Sequence, residues 1–130
     1  MKLKPEEWAS RLSNIQYKVT REGATEMAFT GEYWDHKDSG IYKCICCGSA
    51  LFRSSEKFNS GTGWPSFSNV LNASAVSSKV DSSHGMIRTE ISCSKCNAHL
   101  GHLFNDGPNP NKERYCINSA SLNFENHINV

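Results

Sequence analysis

The sequence predicts one mainly β domain with an N-terminal helical segment, and three observations carry that prediction. From Ile41 onward, short runs rich in β-branched and aromatic residues alternate with turn formers at close spacing. Before that point, Pro5, Glu6 and Glu7 are followed by Trp8 and Leu12 at i, i+4, which is a helix start. Two Cys-x-x-C units with 45 residues between them stand inside the β-like part.

A length of 130 residues is one domain's worth of chain. It is predicted as a single domain over 1–130, with a helix-and-loop arm over 1–40 and a β body over 41–125 that carries the site. With 38% hydrophobic and 10% aromatic residues there is material for one modest core. A formal net charge of +1 removes the electrostatic case for nonspecific nucleic-acid binding. No run of ~18 apolar residues is present to span a membrane. Met1-Lys2-Leu3-Lys4-Pro5 leads into an acidic stretch rather than an apolar signal region, so the expected location is cytoplasmic.

The first helix is expected to end near Ser13 and Asn14. Residues 15–40 read as loop, with one short strand-like run over 15–19. Strands are expected over 41–44, 50–53, 75–80, 86–92, 98–104 and 115–124. Asp81-Ser82-Ser83-His84-Gly85 reads as the turn of a hairpin joining 76–80 to 86–91. Two Gly/Pro-rich loops, 59–66 and 105–111, separate the later strands.

Six cysteines make the composition unusual. Without a visible signal peptide, and with short paired spacing, metal or redox chemistry is a better reading than a disulfide framework. Cys44-Ile45-Cys46-Cys47-Gly48 and Cys93-Ser94-Lys95-Cys96-Asn97 each present two sulfurs on one turn, as tetrahedral zinc requires. Gly48 and Asn97 follow the pairs, and both tolerate the positive φ of a tight knuckle. Cys44, Cys47, Cys93 and Cys96 are therefore the expected ligands of one structural zinc. Cys46 is left over, with its side chain expected to turn away from the metal. Four cysteines leave no open coordination position for catalysis.

Cys116 has no such partner. It opens a strand after a Pro/Gly loop, with Arg114 and Asn118 two residues away on either side and so on the same face. Arg114 would favour its thiolate. A buried strand cysteine acting as a small hydrophobe is an equally good local reading. His99 and His102 would point to opposite faces of a regular strand, but Gly101 between them permits a bulge that brings both to one side. Trp64, between Gly63 and Pro65, is either a core plug or the aromatic wall of a pocket.

Taken together, three segments resemble the methionine-R-sulfoxide reductases, the MsrB family. They are Phe58-Asn59-Ser60-Gly61-Thr62-Gly63-Trp64-Pro65-Ser66-Phe67, Cys96-Asn97-Ala98-His99-Leu100-Gly101-His102-Leu103-Phe104, and Arg114-Tyr115-Cys116-Ile117-Asn118-Ser119. The two cysteine pairs fit as well, and the resemblance covers roughly residues 5–125. It implies two small antiparallel sheets with an N-terminal helical segment. It implies that Cys116 attacks the sulfoxide sulfur and becomes a sulfenic acid, which a reductant thiol such as thioredoxin then reduces. By the same resemblance, Trp64 packs the substrate methyl group and His99 and His102 bind and protonate the oxygen, with water. Asn118 orients that network, while Arg114 and Asp106 tune the thiolate and its hydrogen bonds. The implied substrate is methionine-R-sulfoxide, free or in peptides and proteins, and the expected state is a monomer. Three departures stand out, the first being Cys46, an extra thiol inside the first cysteine knuckle. Thr62 occupies the position where many relatives carry a resolving cysteine, and Pro110 and Asn111 stand where an aromatic is sometimes found.

Two rival readings compete with it. A zinc-stabilised binding module would need the two cysteine pairs but not Cys116, His99, His102 and Trp64. A zinc hydrolase or deaminase would need an open metal position and a Glu beside a His ligand, and no His-x-Glu occurs.

Overall fold

The computed structural model describes residues 3–126. Residues 1, 2 and 127–130, and with them the two ends of the predicted 1–130 span, lie outside the described residues. The chain opens with α1 (Pro5–Arg11), where the first-turn proline and Glu6 and Glu7 stand as expected. A second helix, α2 (Asn14–Glu22), replaces the loop and strand-like run expected there. Its signals are local. The Ser13 side chain accepts from the Gln16 amide, the Gln16 side chain accepts from the Ser13 amide at 2.8 Å, and Gly23 closes the helix with φ 73°. Ile15, Tyr17 and Val19 favour strands by propensity, but the two caps and packing of Val19 into the interior outweigh that preference. The Arg21 guanidinium lies 4.4 Å above the buried Trp8 ring and fastens α2 to α1.

Among the described residues the body holds nine strands: β1 (Gly40–Cys44), β2 (Ala50–Arg53), β3 (Lys57–Phe58), β4 (Ser66–Phe67), β5 (Val76–Asp81), β6 (Arg88–Cys93), β7 (His99–Phe104), β8 (Arg114–Ile117) and β9 (Leu122–Asn126). They form two antiparallel sheets, one ordered β2-β1-β9 and one ordered β3-β4-β8-β7-β6-β5. This is the mainly β class that the sequence predicted. The β5–β6 hairpin has its turn at Ser83–Gly85, within the stretch expected to turn.

The strand expected over 115–124 is two strands in different sheets. After Asn118 a single 3-10 turn, Ser119–Ser121, redirects the chain. The Ser121 hydroxyl donates to the Asn118 carbonyl at 2.7 Å, a local bond that competes with a continuing ladder. The short strands β3 and β4, which flank the loop containing Trp64, were not expected.

The sheets meet through aromatic rings. Phe52 of the small sheet stacks on Phe67 of the large one at 4.4 Å, and Tyr42 meets Phe67 edge-on at 5.2 Å. All three rings are fully buried. Burial of each contributes about 1.5–3 kcal/mol. Among the described residues no helix is long and apolar enough to cross a membrane.

Candidate active site and metal cluster

The two Cys-x-x-C turns have the same construction. Gly48 N–H donates to Cys44 O at 2.9 Å, and Asn97 N–H donates to Cys93 O at 2.8 Å. Gly48 takes φ 79° and Asn97 φ 64°, as their positions after the pairs predicted. One knuckle joins β1 to β2 and the other joins β6 to β7, so each sheet supplies one. The four sulfurs of Cys44, Cys47, Cys93 and Cys96 lie within 4.8 Å of one another, with Cys44–Cys96 and Cys47–Cys93 at 3.6 Å. A tetrahedron with metal–sulfur bonds of about 2.3 Å has edges of about 3.8 Å, so the four sulfurs could hold a metal ion. Arg21 of α2 donates to Cys96 O at 3.1 Å and to Cys96 Sγ at 3.5 Å, bringing a cation against the thiolates.

Cys46 is outside this set, as expected, but it does not turn away. Its thiol lies beside those of Cys44 and Cys96, near Thr20 and Arg21 of α2. The added helix accounts for this, because it covers the knuckle and gives the side chain a buried place.

Cys116 stands on β8 between β4 and β7, directly opposite Ser66 on one side and His102 on the other. It lines a cavity of about 90 Å³ together with Trp64, Arg88, His102, Phe104 and Asn118. The loop carrying Trp64 is held against β8 by the Ile117 amide, which donates to Pro65 O at 2.9 Å. Trp64 Nε1 donates to Glu26 O at 3.0 Å, so the indole is a fixed wall rather than a core plug. Gly101 lets β7 and β8 close up, because a Cβ there would collide with the Cys116 carbonyl.

The bulge expected near Gly101 is present. Ile91 pairs with Gly101 but Ser92 pairs with His99, so β7 carries one extra residue. His99 and His102 consequently share a side, with ring centroids 5.5 Å apart. Each is tied to a carboxylate. His99 Nδ1 lies 2.7 Å from Glu90 Oε2, and His102 Nε2 lies 2.8 Å from Asp81 Oδ2. Asp81 also faces Arg88 at 3.4 Å. Ser83 and then His102 hold the Asp81 carboxyl well below the usual range. Burial disfavours protonated His99, against the pull of Glu90.

Arg114 is held by Asp106 through two bonds, 2.7 and 3.2 Å, and lies 4.4 Å above the Phe104 ring. Its charge favours the Cys116 thiolate. Burial is the larger influence, however, and pushes the thiol up. The Thr62 side chain lies beside Cys116 and favours the thiolate. Thr62 in turn meets Ser60 at 2.7 Å, and Ser60 meets Ser66 at 2.8 Å. Asn118 is buried at the end of β8, where its Nδ2 donates to Leu100 O at 3.0 Å.

The SelR domain family profile matches residues 12–126 of this chain. The chain belongs to the methionine-R-sulfoxide reductase (MsrB) family. It is similar to the peptide methionine sulfoxide reductase MsrB of Synechococcus sp. (strain RCC307), with 59% identity over 119 residues, 92% of this chain and 88% of the relative. A protein of the same name from Thiobacillus denitrificans is 61% identical over 118 residues, 91% of this chain and 89% of the relative. The mitochondrial methionine-R-sulfoxide reductase B3 of Mus musculus is 57% identical over 119 residues, 92% of this chain and 47% of the relative.

Within this MsrB fold, Trp64, His102, Cys116 and Asn118 line one cavity, and Arg114 with Asp106 stands beside it. His99 lines a second cavity of about 260 Å³ with His102, Asp81, Arg88 and Glu90. Asp81, Arg88 and Glu90 were missed at the level of sequence. Their signal is the hairpin, whose pairing of Asp81 with Arg88 and of Glu90 with His102 places two carboxylates across from the histidines.

Proposed function

We propose that this chain reduces methionine-R-sulfoxide, free or within peptides and proteins, with Cys116 as the nucleophile. The observation that carries the reading is Cys116 directly opposite His102 in a small cavity walled by Trp64. A space of about 90 Å³ equals the share of about three water molecules. That suits the methyl, sulfur and oxygen of a methylsulfinyl group, with the rest of the substrate outside.

Cys116 thiolate attacks the sulfoxide sulfur while Trp64 packs the methyl group. His102, as imidazolium, gives its proton to the departing oxygen, with His99 and Asn118 completing the hydrogen-bond network. The oxygen passes to Cys116 and leaves it as a sulfenic acid. The substrate sulfur gains two electrons, the cysteine sulfur loses two, and methionine departs. Asp81 stabilises the His102 imidazolium, and Arg114, braced by Asp106, stabilises the thiolate. Contacts to methyl, oxygen and sulfur would make the site chiral, and the family match supports the R epimer. His102 is favoured over His99 as donor because it shares the cavity with Cys116, whereas burial works against protonated His99.

The metal is proposed to be zinc, held by Cys44, Cys47, Cys93 and Cys96, with a structural role. The chain is read as a monomer that takes its electrons from thioredoxin or another dithiol. A zinc-stabilised binding module would leave the Cys116 cavity unused and is not favoured.

The test supplies the R and S epimers separately with dithiothreitol, using wild type and His102→Ala. The R epimer is expected to be consumed and the S epimer left. The His102 variant is expected to slow the chemical step about 100-fold. Wild-type activity should fall towards acid pH as the Cys116 thiolate, already disfavoured by burial, is lost. Preference for the S epimer would overturn the reading.

The sulfenic acid is proposed to be reduced directly by the external thiol. Thr62 has no sulfur to offer, and the four ligand cysteines are occupied as thiolates. Cys46 lies against Cys44, Cys96 and α2, whereas Cys116 stands on β8 opposite Ser66 and His102. Cys46→Ser is expected to keep wild-type turnover. One equivalent of substrate without reductant should then yield a dimedone adduct on Cys116. Peptide mapping that recovered a Cys46–Cys116 disulfide instead, with turnover lost in Cys46→Ser, would make Cys46 the resolving residue.

A further inference from the structure

Residues 24–31 follow α2 and pass along the edge of the Cys116 cavity, which Thr25 helps to line. The next residue, Glu26, is 4% exposed. Its main-chain N–H donates to Asn118 Oδ1 at 3.0 Å. Its main-chain carbonyl accepts from Trp64 Nε1 at 3.0 Å. Its carboxylate Oε1 accepts from the Ala120 amide at 2.8 Å, in the turn that follows Asn118. One residue therefore holds the indole wall, the buried amide and the turn leading out of β8.

The second carboxylate oxygen, Oε2, is buried without a hydrogen-bond partner among the described residues. The chain keeps room for it. A Cβ at Gly31 would collide with this oxygen and with Ser119 Oγ, so only glycine fits there. A buried carboxylate with one hydrogen bond is a costly choice for a purely structural post. Glutamine would accept the Ala120 bond equally well without burying a charge. The charge is felt at Cys116, where it opposes the pull of Arg114.

We propose that Glu26 is a positioning residue of the Cys116 site, fixing Trp64 and Asn118 through its main chain, which its carboxylate anchors to the turn after Asn118. The inference rests on Cys116 being the nucleophile. Its negative charge also adds, after the larger effect of burial, to the forces that disfavour the Cys116 thiolate.

The test uses metal-loaded Glu26→Gln and Glu26→Ala and two readouts. One is the pH midpoint of Cys116 alkylation by iodoacetamide, followed by peptide mass mapping, which needs no turnover. The other is the split between KM and kcat for methionine-R-sulfoxide. Removing the negative charge favours the thiolate, so both variants should be alkylated at lower pH than wild type. Glutamine keeps the acceptor for Ala120 and should keep a near-wild-type KM, whereas alanine should raise KM about 10-fold or more. An unmoved alkylation midpoint in Glu26→Gln would overturn the proposal, and so would a wild-type KM in a folded Glu26→Ala. If the alanine variant loses its metal or melts early, the alkylation midpoint of the glutamine variant alone decides. A wild type inactive on both epimers would defeat the functional reading and leave the alkylation result to stand by itself.

Discussion

Cys116→Ser is expected to abolish reduction of methionine-R-sulfoxide, with a loss of ~10⁴-fold or more in kcat. The step requires an atom that attacks sulfur, accepts oxygen and can afterwards be reduced. A serine hydroxyl is not ionised at neutral pH, even beside Arg114, and no O–OH product could form in place of the sulfenic acid. The substitution is nearly isosteric. Melting temperature and metal content should therefore match wild type, and the cavity formed by Trp64 and His102 should survive. The measurement is methionine formed from the R epimer with excess dithiothreitol, together with thermal melting of the same preparation. Retained turnover would mean that another thiol attacks the substrate, and Cys116 would return to the role of a buried strand residue.

The other large effect concerns folding. Serine at Cys44, Cys47, Cys93 or Cys96 is expected to release the metal and lower the melting temperature sharply. Apparent binding energies of structural zinc are on the order of 10 kcal/mol. A whole domain has a stability of roughly 5–15 kcal/mol, so loss of the metal removes a margin as large as the total. Here the four sulfurs come from turns in two different sheets, so a metal held by them would also bond the sheets together. Cys46→Ser is the matched control, since Cys46 lies in the same knuckle but outside the four-sulfur set. It should keep one metal per chain. Metal analysis and thermal melting read both outcomes. A folded, active protein without metal in any of the four ligand variants would refute the structural role.

Features encoded within a few residues are legible in the sequence. The knuckle geometry follows from Cys-x-x-C with Gly48 or Asn97 behind it, because both the spacing and the positive φ are local requirements. Gly101 between two histidines allows the bulge to be expected, and the β5–β6 hairpin shows in its turn residues. The caps of α2 are equally local, yet the β-favouring Ile15, Tyr17 and Val19 mask the Ser13–Gln16 box and Gly23.

The chemical inventory is thus written in the order of residues: one sulfur set for a metal, one solitary cysteine, and the polar and aromatic groups fit to surround it. Who meets whom is a property of the folded chain. Hairpin register and the bulge put Glu90 on His99 and Asp81 on His102, because they set those partners across the sheet. Burial by several distant segments outweighs one neighbouring arginine and makes Cys116 a raised rather than a lowered thiol. Folding also carries Glu26 from the arm into the frame of the site, 92 positions from the Asn118 it holds. Hydrogen bonds and desolvation act over a few ångströms of space, and only the folded chain fixes which residues fall within that reach.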